Sequence, residues 1–305
     1  MPRLKIGTRG SPLALAQARE ARALLTAAHG LAEDGIEIVP ITTTGDRIRD
    51  RPLTEIGGKG MFTKEIEEAL QAGDIDFAVH SMKDMPARLP NGLVISTLLP
   101  REDAREAFLS PVAASIAALP LGAIVGSSSV RRTAQLLRLR PDIKTVLFRG
   151  NVETRLRKLA DGAAHATFLA AAGLNRLGLT DKITSLVSMD VMLPAVAQGA
   201  IGLEIRAHDD ATRALLAAIN HGDTEIAVLC ERAFLAALDG SCRTPLAGHA
   251  MLDNGVLRFR GHALTLDGVH CFETERDGSP ADAERMGRDA GEEVKARGGA
   301  LIAFS

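Results

Sequence analysis

The sequence contains no tryptophan and no tyrosine, and nine phenylalanines are its whole aromatic content. A platform for stacking nucleic-acid bases is therefore not expected. There is no excess of one charge either. Lys and Arg total 36 against 38 Asp and Glu, a formal net charge of −2. No global basic field exists to hold nucleic acid, although a local basic cleft fits this balance. Cysteine is scarce: Cys230, Cys242 and Cys271 are odd in number and include no Cys-x-x-Cys pair. That argues against a disulfide framework and against a zinc ribbon. No apolar run approaches the roughly 20 residues of a membrane span. The opening MPRLKIGTRG lacks the apolar core of a secretory signal. What is present is 46% hydrophobic and 24% charged in 305 residues, the composition of a globular chain. The length suits two or three domains, each with a core of its own. The expectation is a soluble, cytoplasmic α/β protein.

The first two thirds alternate strand and helix signals. Leu4 to Gly7 reads as a strand, and Ser11-Pro12 as an N-cap followed by proline at the first helical position, opening a helix to about Ala28. Ile36 to Ile41 and Phe77 to His80 read as strands, with a helix near Lys64 to Ala72. Thr42 to Met61 is a long stretch of Gly, Thr and charge, of a length usual for lids or disordered segments. After LLPREDARE the pattern restarts. Strand signals stand at Ala123–Gly126, Thr145–Phe148 and Thr167–Ala170, helical ones at Val130–Arg138 and Val152–Leu159. Strands alternating with helices predict mostly parallel sheets, here in two lobes. No fixed-period repeat is visible. In the last third a helix from Thr224 to Leu238 leads to strands at Leu246–Leu252, Val256–Leu264 and Val269–Thr274. Asn254-Gly255 and Asp267-Gly268 signal hairpins between them, and a final helix runs from Pro280 to Arg297. This reads as a separate α+β domain with a small antiparallel sheet.

Several arginines fall where an α/β fold places ligands, at strand C-termini and helix N-termini. Arg9 follows the first strand. Gly126-Ser127-Ser128-Ser129-Val130-Arg131-Arg132 runs from strand into helix, offering hydroxyls, free backbone N–H groups and paired guanidinium groups to an anion. Arg149-Gly150-Asn151, with Arg155, repeats that arrangement, and Arg176 lies in GLNRLG. Each alone reads as surface; their shared placement points to a ligand with several carboxylates or phosphates. His80-Ser81-Met82-Lys83-Asp84 also follows a strand end. In a loop Lys83 and Asp84 could reach one cleft, where an ionised acid would suit a cationic intermediate. His80 itself reads as a packed strand histidine. Cys242 sits in GSCRTP beside Arg243, which favours a thiolate, whereas Cys230 and Cys271 fall in ordinary buried positions.

Two motifs fail. Gly57-Gly58-Lys59-Gly60 is not a P-loop, since Gly60 replaces the Ser/Thr and Leu53 the first glycine. His249, His262 and His270 are expected on three different strands; a metal site there is left open but carries no ligand spacing signature, and none is assigned.

Across the whole chain the sequence resembles the porphobilinogen deaminase (hydroxymethylbilane synthase) family. The resemblance rests on TRGSPLALAQ (8–17), TTTGDRI (42–48), GGKGMFTKEIE (57–67), AVHSMKDMP (78–86), GSSSVRR (126–132), RGNVETRL (149–156), LAAAGLNRLG (169–178), LPAVAQGAIGLE (193–204) and GSCRTP (240–245). It implies two α/β lobes resembling type II periplasmic binding proteins, plus a small α+β C-terminal domain with a three-stranded antiparallel sheet. The implied division is residues 1–99 with 200–217, then 105–193, then 222–305. The implied reaction condenses four porphobilinogen molecules head to tail, with loss of ammonia, into the linear tetrapyrrole hydroxymethylbilane of porphyrin and haem biosynthesis.

The same resemblance implies a dipyrromethane cofactor joined by a thioether to Cys242, with Asp84 as the catalytic carboxylate. Lys83, Ser127, Ser129, Arg131 and Arg132 would hold the cofactor. Arg9, Ser11, Arg149, Arg155, Arg176 and Gln198 would hold substrate, and Asp46 and Lys59 would lie in a mobile loop. Porphobilinogen is then the partner, with no nucleic acid and no membrane, and the enzyme is expected as a monomer. The rival reading is a non-catalytic two-lobed anion receptor, which gives Cys242 no role and needs no Asp84.

Overall fold

A computed structural model describes residues 4–47, 61–240 and 244–302. The described residues gather into two compact units. One holds 4–47, 61–102 and 199–225; the other holds 103–198, 226–240 and 244–302. The chain therefore passes from one unit to the other at 102/103, returns at 198/199, and leaves again at 225/226.

The first unit contains β1 (Leu4–Arg9), α1 (Pro12–His29), β2 (Ile36–Ile41), α2 (Thr44–Arg47), α3 (Lys64–Ala72), β3 (Phe77–Ser81) and β4 (Leu93–Leu98). The second opens with β5 (Glu106–Leu109), β6 (Ile124–Ser127), α4 (Val130–Leu139), β7 (Lys144–Leu147), α5 (Val152–Ala160), β8 (Ala166–Ala170), α6 (Ala171–Arg176) and β9 (Ser185–Val187). Then β10 (Ile201–Arg206) and α7 (Asp210–Ala217) return to the first unit. The chain ends with α8 (Gly222–Ala237), β11 (Leu246–Asp253), β12 (Val256–Leu264), β13 (Cys271–Gly278) and α9 (Ala283–Gly298).

The first sheet has the order β2-β1-β3-β10-β4, with β1 parallel to β2 and β3, and β10 antiparallel to β3 and β4. The second has the order β7-β6-β8-β5-β9, with β6 parallel to β7 and β8, and β5 antiparallel to β8 and β9. The two plans are the same. In each, the antiparallel strand is the first strand laid down after the chain arrives from the other unit. The third sheet, β11-β12-β13, is antiparallel throughout.

Local chemistry explains the element starts that carry the site. Ser11 caps α1, its Oγ accepting from Ala14 N at 3.3 Å, with Pro12 at the first helical position, where its missing N–H costs nothing. Gly30 ends the helix in the left-handed region at φ 63°. Ser129 caps α4 in the same way, accepting from Arg132 N, and Asn151 caps α5, accepting from Thr154 N at 2.9 Å. A Cβ at Gly7 would run into Ile75, and one at Gly126 into the Phe148 ring. Glycine at these two positions lets the Ile75 side chain and the Phe148 ring lie directly against the strand backbone.

Each sheet of the two lobes has its own core. Ile6, Leu25, Phe77 and Ile201 are buried about the first; Phe108, Val125 and Phe168 about one face of the second. A fully buried side chain of this size contributes about 1.5–3 kcal/mol, so each sheet is anchored independently. The last strand starts at Cys271 rather than Val269 and runs on to Gly278. His270 therefore lies before the strand, in the turn where its N–H donates to Thr265 Oγ1. Within the expected lid, α2 is a short helix over Thr44–Arg47; residues 48–60, Lys59 among them, lie outside the described residues.

Candidate active site

In the first unit a pocket opens where β1 ends, α1 begins and β3 runs into a short 3-10 turn over Met82–Asp84. Strand C-termini beside a helix N-terminus are where an α/β sheet offers unpaired N–H groups to a ligand. Arg9, Ser11, Lys83 and Asp84 all line this pocket. The 3-10 turn brings Lys83 and Asp84 to the same hollow, which an extended chain would not do. The Asp84 carboxylate is about one-third exposed, and its Oδ2 lies 4.0 Å from Arg9 Nη1.

Arg9 is held from several sides. Its Nη2 donates to Asp46 Oδ1 at 2.5 Å and its Nε to Asp46 Oδ2 at 3.2 Å. The guanidinium also lies 4.2 Å from the centroid of the Phe62 ring, a cation–π contact. Thr43 Oγ1 donates to Asp46 as well. Burial alone would raise the Asp46 carboxyl; the bonds from Arg9 and Thr43 and the Arg9 charge outweigh it and hold the group below its ordinary range. Asp46 thus already occupies one fork of the arginine to which the family resemblance gives substrate. Phe62 and Gln17, which accepts from Ser81 Oγ at 2.9 Å, also line the pocket, and neither was anticipated. Phe62 lies 53 residues along the chain from Arg9, and nothing local to the phenylalanine signals that contact.

Beneath this pocket His80 is buried, and its Nε2 shares a 2.9 Å hydrogen bond with Glu204 Oε2 of β10. Glu67 of α3 lies nearby, and its carboxyl is raised, chiefly by burial and also by Glu204. His80 is a packed strand histidine, as expected, but its carboxylate partner is 124 residues away.

In the second unit the strand ends collect the remaining cations. Ser127 Oγ accepts from Ser129 N, folding the serine run into a turn, and α4 begins there. Arg155 donates from Nε to Gly150 O at 2.9 Å and from Nη2 to Ser128 Oγ at 3.3 Å. This ties the serine turn after β6 to the Arg149-Gly150 turn after β7. Lys158 Nζ donates to Arg149 O. Arg176 closes α6, just after β8. Ser127 is the last residue of β6, and Ser129, Arg149, Arg155 and Arg176 follow the C-terminal ends of the three parallel strands.

Arg131 and Arg132 are nine-tenths buried and converge on Glu106, the first residue of β5. Arg131 Nη2 donates to Glu106 Oε1 at 2.5 Å; Arg132 donates to Oε2 from Nε at 3.0 Å and Nη2 at 2.7 Å. Burial pushes Arg131 below the usual guanidinium range, while the Glu106 charge pulls it back up. Gln198 is wholly buried, its Nε2 donating to Ala104 O at 2.8 Å and Glu106 Oε1 at 3.2 Å. Gln198 thus serves Glu106 at the point where the chain leaves the unit. Nothing in the sequence marked Glu106 as the anion shared by three predicted site residues.

Residues 241–243, with Cys242, lie outside the described residues. The loop's flanks are anchored: Gly240 N donates to Leu235 O, and Lys295 Nζ to Asp239 Oδ2. The thiols of Cys230 and Cys271 are each pushed up to about 12, by burial first and then by neighbouring Glu231 and Glu273 respectively. Neither is a ready nucleophile at neutral pH.

A family model described as porphobilinogen deaminase, dipyromethane cofactor binding domain, matches residues 4–214. A second, porphobilinogen deaminase, C-terminal domain, matches residues 225–296. The chain is 60% identical over 294 residues to a porphobilinogen deaminase of Paracoccus denitrificans (strain Pd 1222), covering 96% of this chain and 94% of that protein. It is 56% identical over 294 residues to one from Nitrobacter hamburgensis, covering 96% and 93%. Among solved structures it is similar to a periplasmic substrate-binding protein from Coxiella burnetii, at 14% identity, covering 71% of this chain and 91% of that one with a TM-score of 0.44. Two family models that together span nearly the whole chain, and relatives this similar at full length, lead to one conclusion: the chain belongs to the porphobilinogen deaminase family.

Proposed function

We propose that Asp84 is the carboxylate on which catalysis turns and that the first-unit pocket is where pyrroles are joined. The activity is that of the family: the enzyme is a transferase that condenses four porphobilinogen molecules into hydroxymethylbilane on a dipyrromethane cofactor. The observation that carries the residue assignment is the pocket shared by Arg9, Lys83 and Asp84. Two cations there suit the acetate and propionate of a pyrrole, and one carboxylate suits its N–H.

The donor set also fits the cofactor, whose rings bear the same carboxylates. Cys242 would carry it by a thioether, with Lys83, Ser127, Ser129, Arg131 and Arg132 as holders. When bound, the dipyrromethane supplies the free pyrrole α-carbon to which the first substrate is joined. Arg9, Ser11, Arg149, Arg155 and Arg176 would fix substrate carboxylates and so the angle of approach. Gln198 would act through Glu106, which it supports from inside. Positive charge develops on the substrate ring as ammonia leaves. A fixed carboxylate aimed at that ring needs no reorganisation to stabilise it, and Asp84 can then accept the proton the new bond releases.

The three separate sheets support a division into residues 1–99 with 200–217, 105–193 and 222–305. We read the enzyme as a cytoplasmic monomer without nucleic-acid or membrane partners. The near-zero net charge argues against a nucleic-acid partner, and no described helix is long and apolar enough to cross a membrane.

The test is single-turnover consumption of porphobilinogen by Asp84 variants shown to be folded and to carry the cofactor by an aldehyde colour reaction for pyrroles. Asp84→Asn removes charge at constant size and should slow turnover about a hundred- to thousandfold. Asp84→Glu keeps the charge one methylene away and should retain partial activity. A near-normal rate in Asp84→Asn would remove this residue from the mechanism.

A further inference from the structure

The C-terminal sheet turns one face to α8 and α9, where Phe259 packs at 5.0 Å from Phe234 between ring centroids. Its other face carries a group of side chains that the pyrrole chemistry does not use. In the β12–β13 pairing His262 stands opposite Glu273, and Leu264 opposite Cys271. Side chains alternate along a strand and opposed residues share a face. His262, Cys271 and Glu273 therefore project together, away from Phe259. One nitrogen, one sulfur and one carboxylate oxygen from the three lie within 4.8 Å of one another. Cys271 Sγ donates to Glu273 Oε1 at 3.5 Å.

His262 supplies a second, independent observation. It is only 7% exposed, and its buried Nε2 has no hydrogen-bond partner. A buried polar atom left unpaired costs free energy unless something fills the role. We propose that His262, Cys271 and Glu273 form a binding site for a divalent transition-metal ion of the zinc class. Imidazole, thiolate and carboxylate together are the donor set such ions take, whereas magnesium and calcium take oxygen alone. Three protein ligands leave a fourth position to water. Glu273 is exposed and Cys271 partly so, and an ion reaches the buried imidazole past them.

Coordination forms a metal–sulfur bond as the S–H bond breaks, and the proton leaves to solvent; no electron is transferred. Arg131, Arg138 and Arg260 face His262, and Arg138 and Arg297 face Cys271. These cations oppose a bare dication. Thiolate and carboxylate cancel its two charges, so the loaded cluster is neutral among them. The neighbouring helix is α4, against which Gly268 packs and from which Arg138 Nη1 donates to Val269 O. An ion here would brace the helix whose first turn presents Arg131 and Arg132.

The experiment titrates Co2+ into the full-length, cofactor-bearing protein after chelator treatment. One Co2+ per chain should bind, with a thiolate-to-cobalt charge-transfer band in the near ultraviolet that Zn2+ abolishes. Cys271→Ser should remove the band. Glu273→Gln, at an exposed position that leaves the fold intact, should weaken binding by at least about tenfold. Cys230→Ala should keep the band. A parent protein without the band overturns the proposal, as does a band that survives Cys271→Ser.

Discussion

Glu106 is the anion around which the buried arginines of the second unit are arranged. It accepts from Arg131, Arg132 and Gln198 and has no exposed surface. Glu106→Gln keeps the shape and removes the charge, leaving two guanidinium groups inside with no anion between them. Breaking a buried pair from one side costs about 3–5 kcal/mol. Urea unfolding of the variant should show a loss of that size; an unchanged midpoint would mean that the arginines do not depend on Glu106. At this scale the sequence was informative about the cations and silent about their partners. Arg9, Lys83, Asp84, Arg149 and Arg155 could be placed because each stands at or after a strand end, although β1 runs on to include Arg9 rather than stopping at Gly7, and strand ends are local signals. Glu106, Glu204 and Glu231 could not. Glu231 accepts from Ala197 N and Ala250 N, and nothing within a few residues of a buried glutamate reports which distant N–H it will meet.

Among the elements, α3 carries an acid that its surroundings do not welcome. Glu67 is nearly buried on this helix, its Oε1 without a hydrogen-bond partner. Burial first, and then the charges of Glu204 and Glu68, raise its carboxyl above the ordinary 4.5; Thr63 and His80 act the other way. A raised folded-state pKa means that the fold prefers the protonated form. The stability it contributes is complete below the unfolded value and is lost as pH rises through the raised folded value. Glu67→Gln stays neutral throughout. Its melting temperature should match the parent's near pH ~4 and exceed it increasingly toward pH ~8. A difference that does not change with pH would contradict this reading of α3. Elements with chemical punctuation were legible: Ser11-Pro12 opens α1, and Asn254-Gly255 turns β11 into β12 with φ of 51° and 80°. The strands β5 and β9, of four and three residues, are too short for a period to show. The His262–Cys271–Glu273 cluster was hidden for a related reason. Its ligands meet across a strand pair, and a search for spacing along the chain does not register that.

For the whole molecule, the repeated plan of the two five-stranded sheets escaped any search for a sequence repeat. The antiparallel strand of the first sheet, β10, lies about a hundred residues beyond its neighbours β3 and β4, while its counterpart β5 precedes β6 to β9. Equivalent positions therefore never recur at a fixed interval. The central claim for the whole molecule is that one chain builds a pyrrole polymer on a primer it carries covalently. Intact mass spectrometry of the purified full-length protein tests this most directly. The account predicts a chain heavier by two condensed porphobilinogen units, a further ladder of single-unit increments on brief exposure to porphobilinogen, and loss of all of them in Cys242→Ser. A chain at its unmodified mass that gains no increment with porphobilinogen, or an adduct that persists in Cys242→Ser, would contradict it.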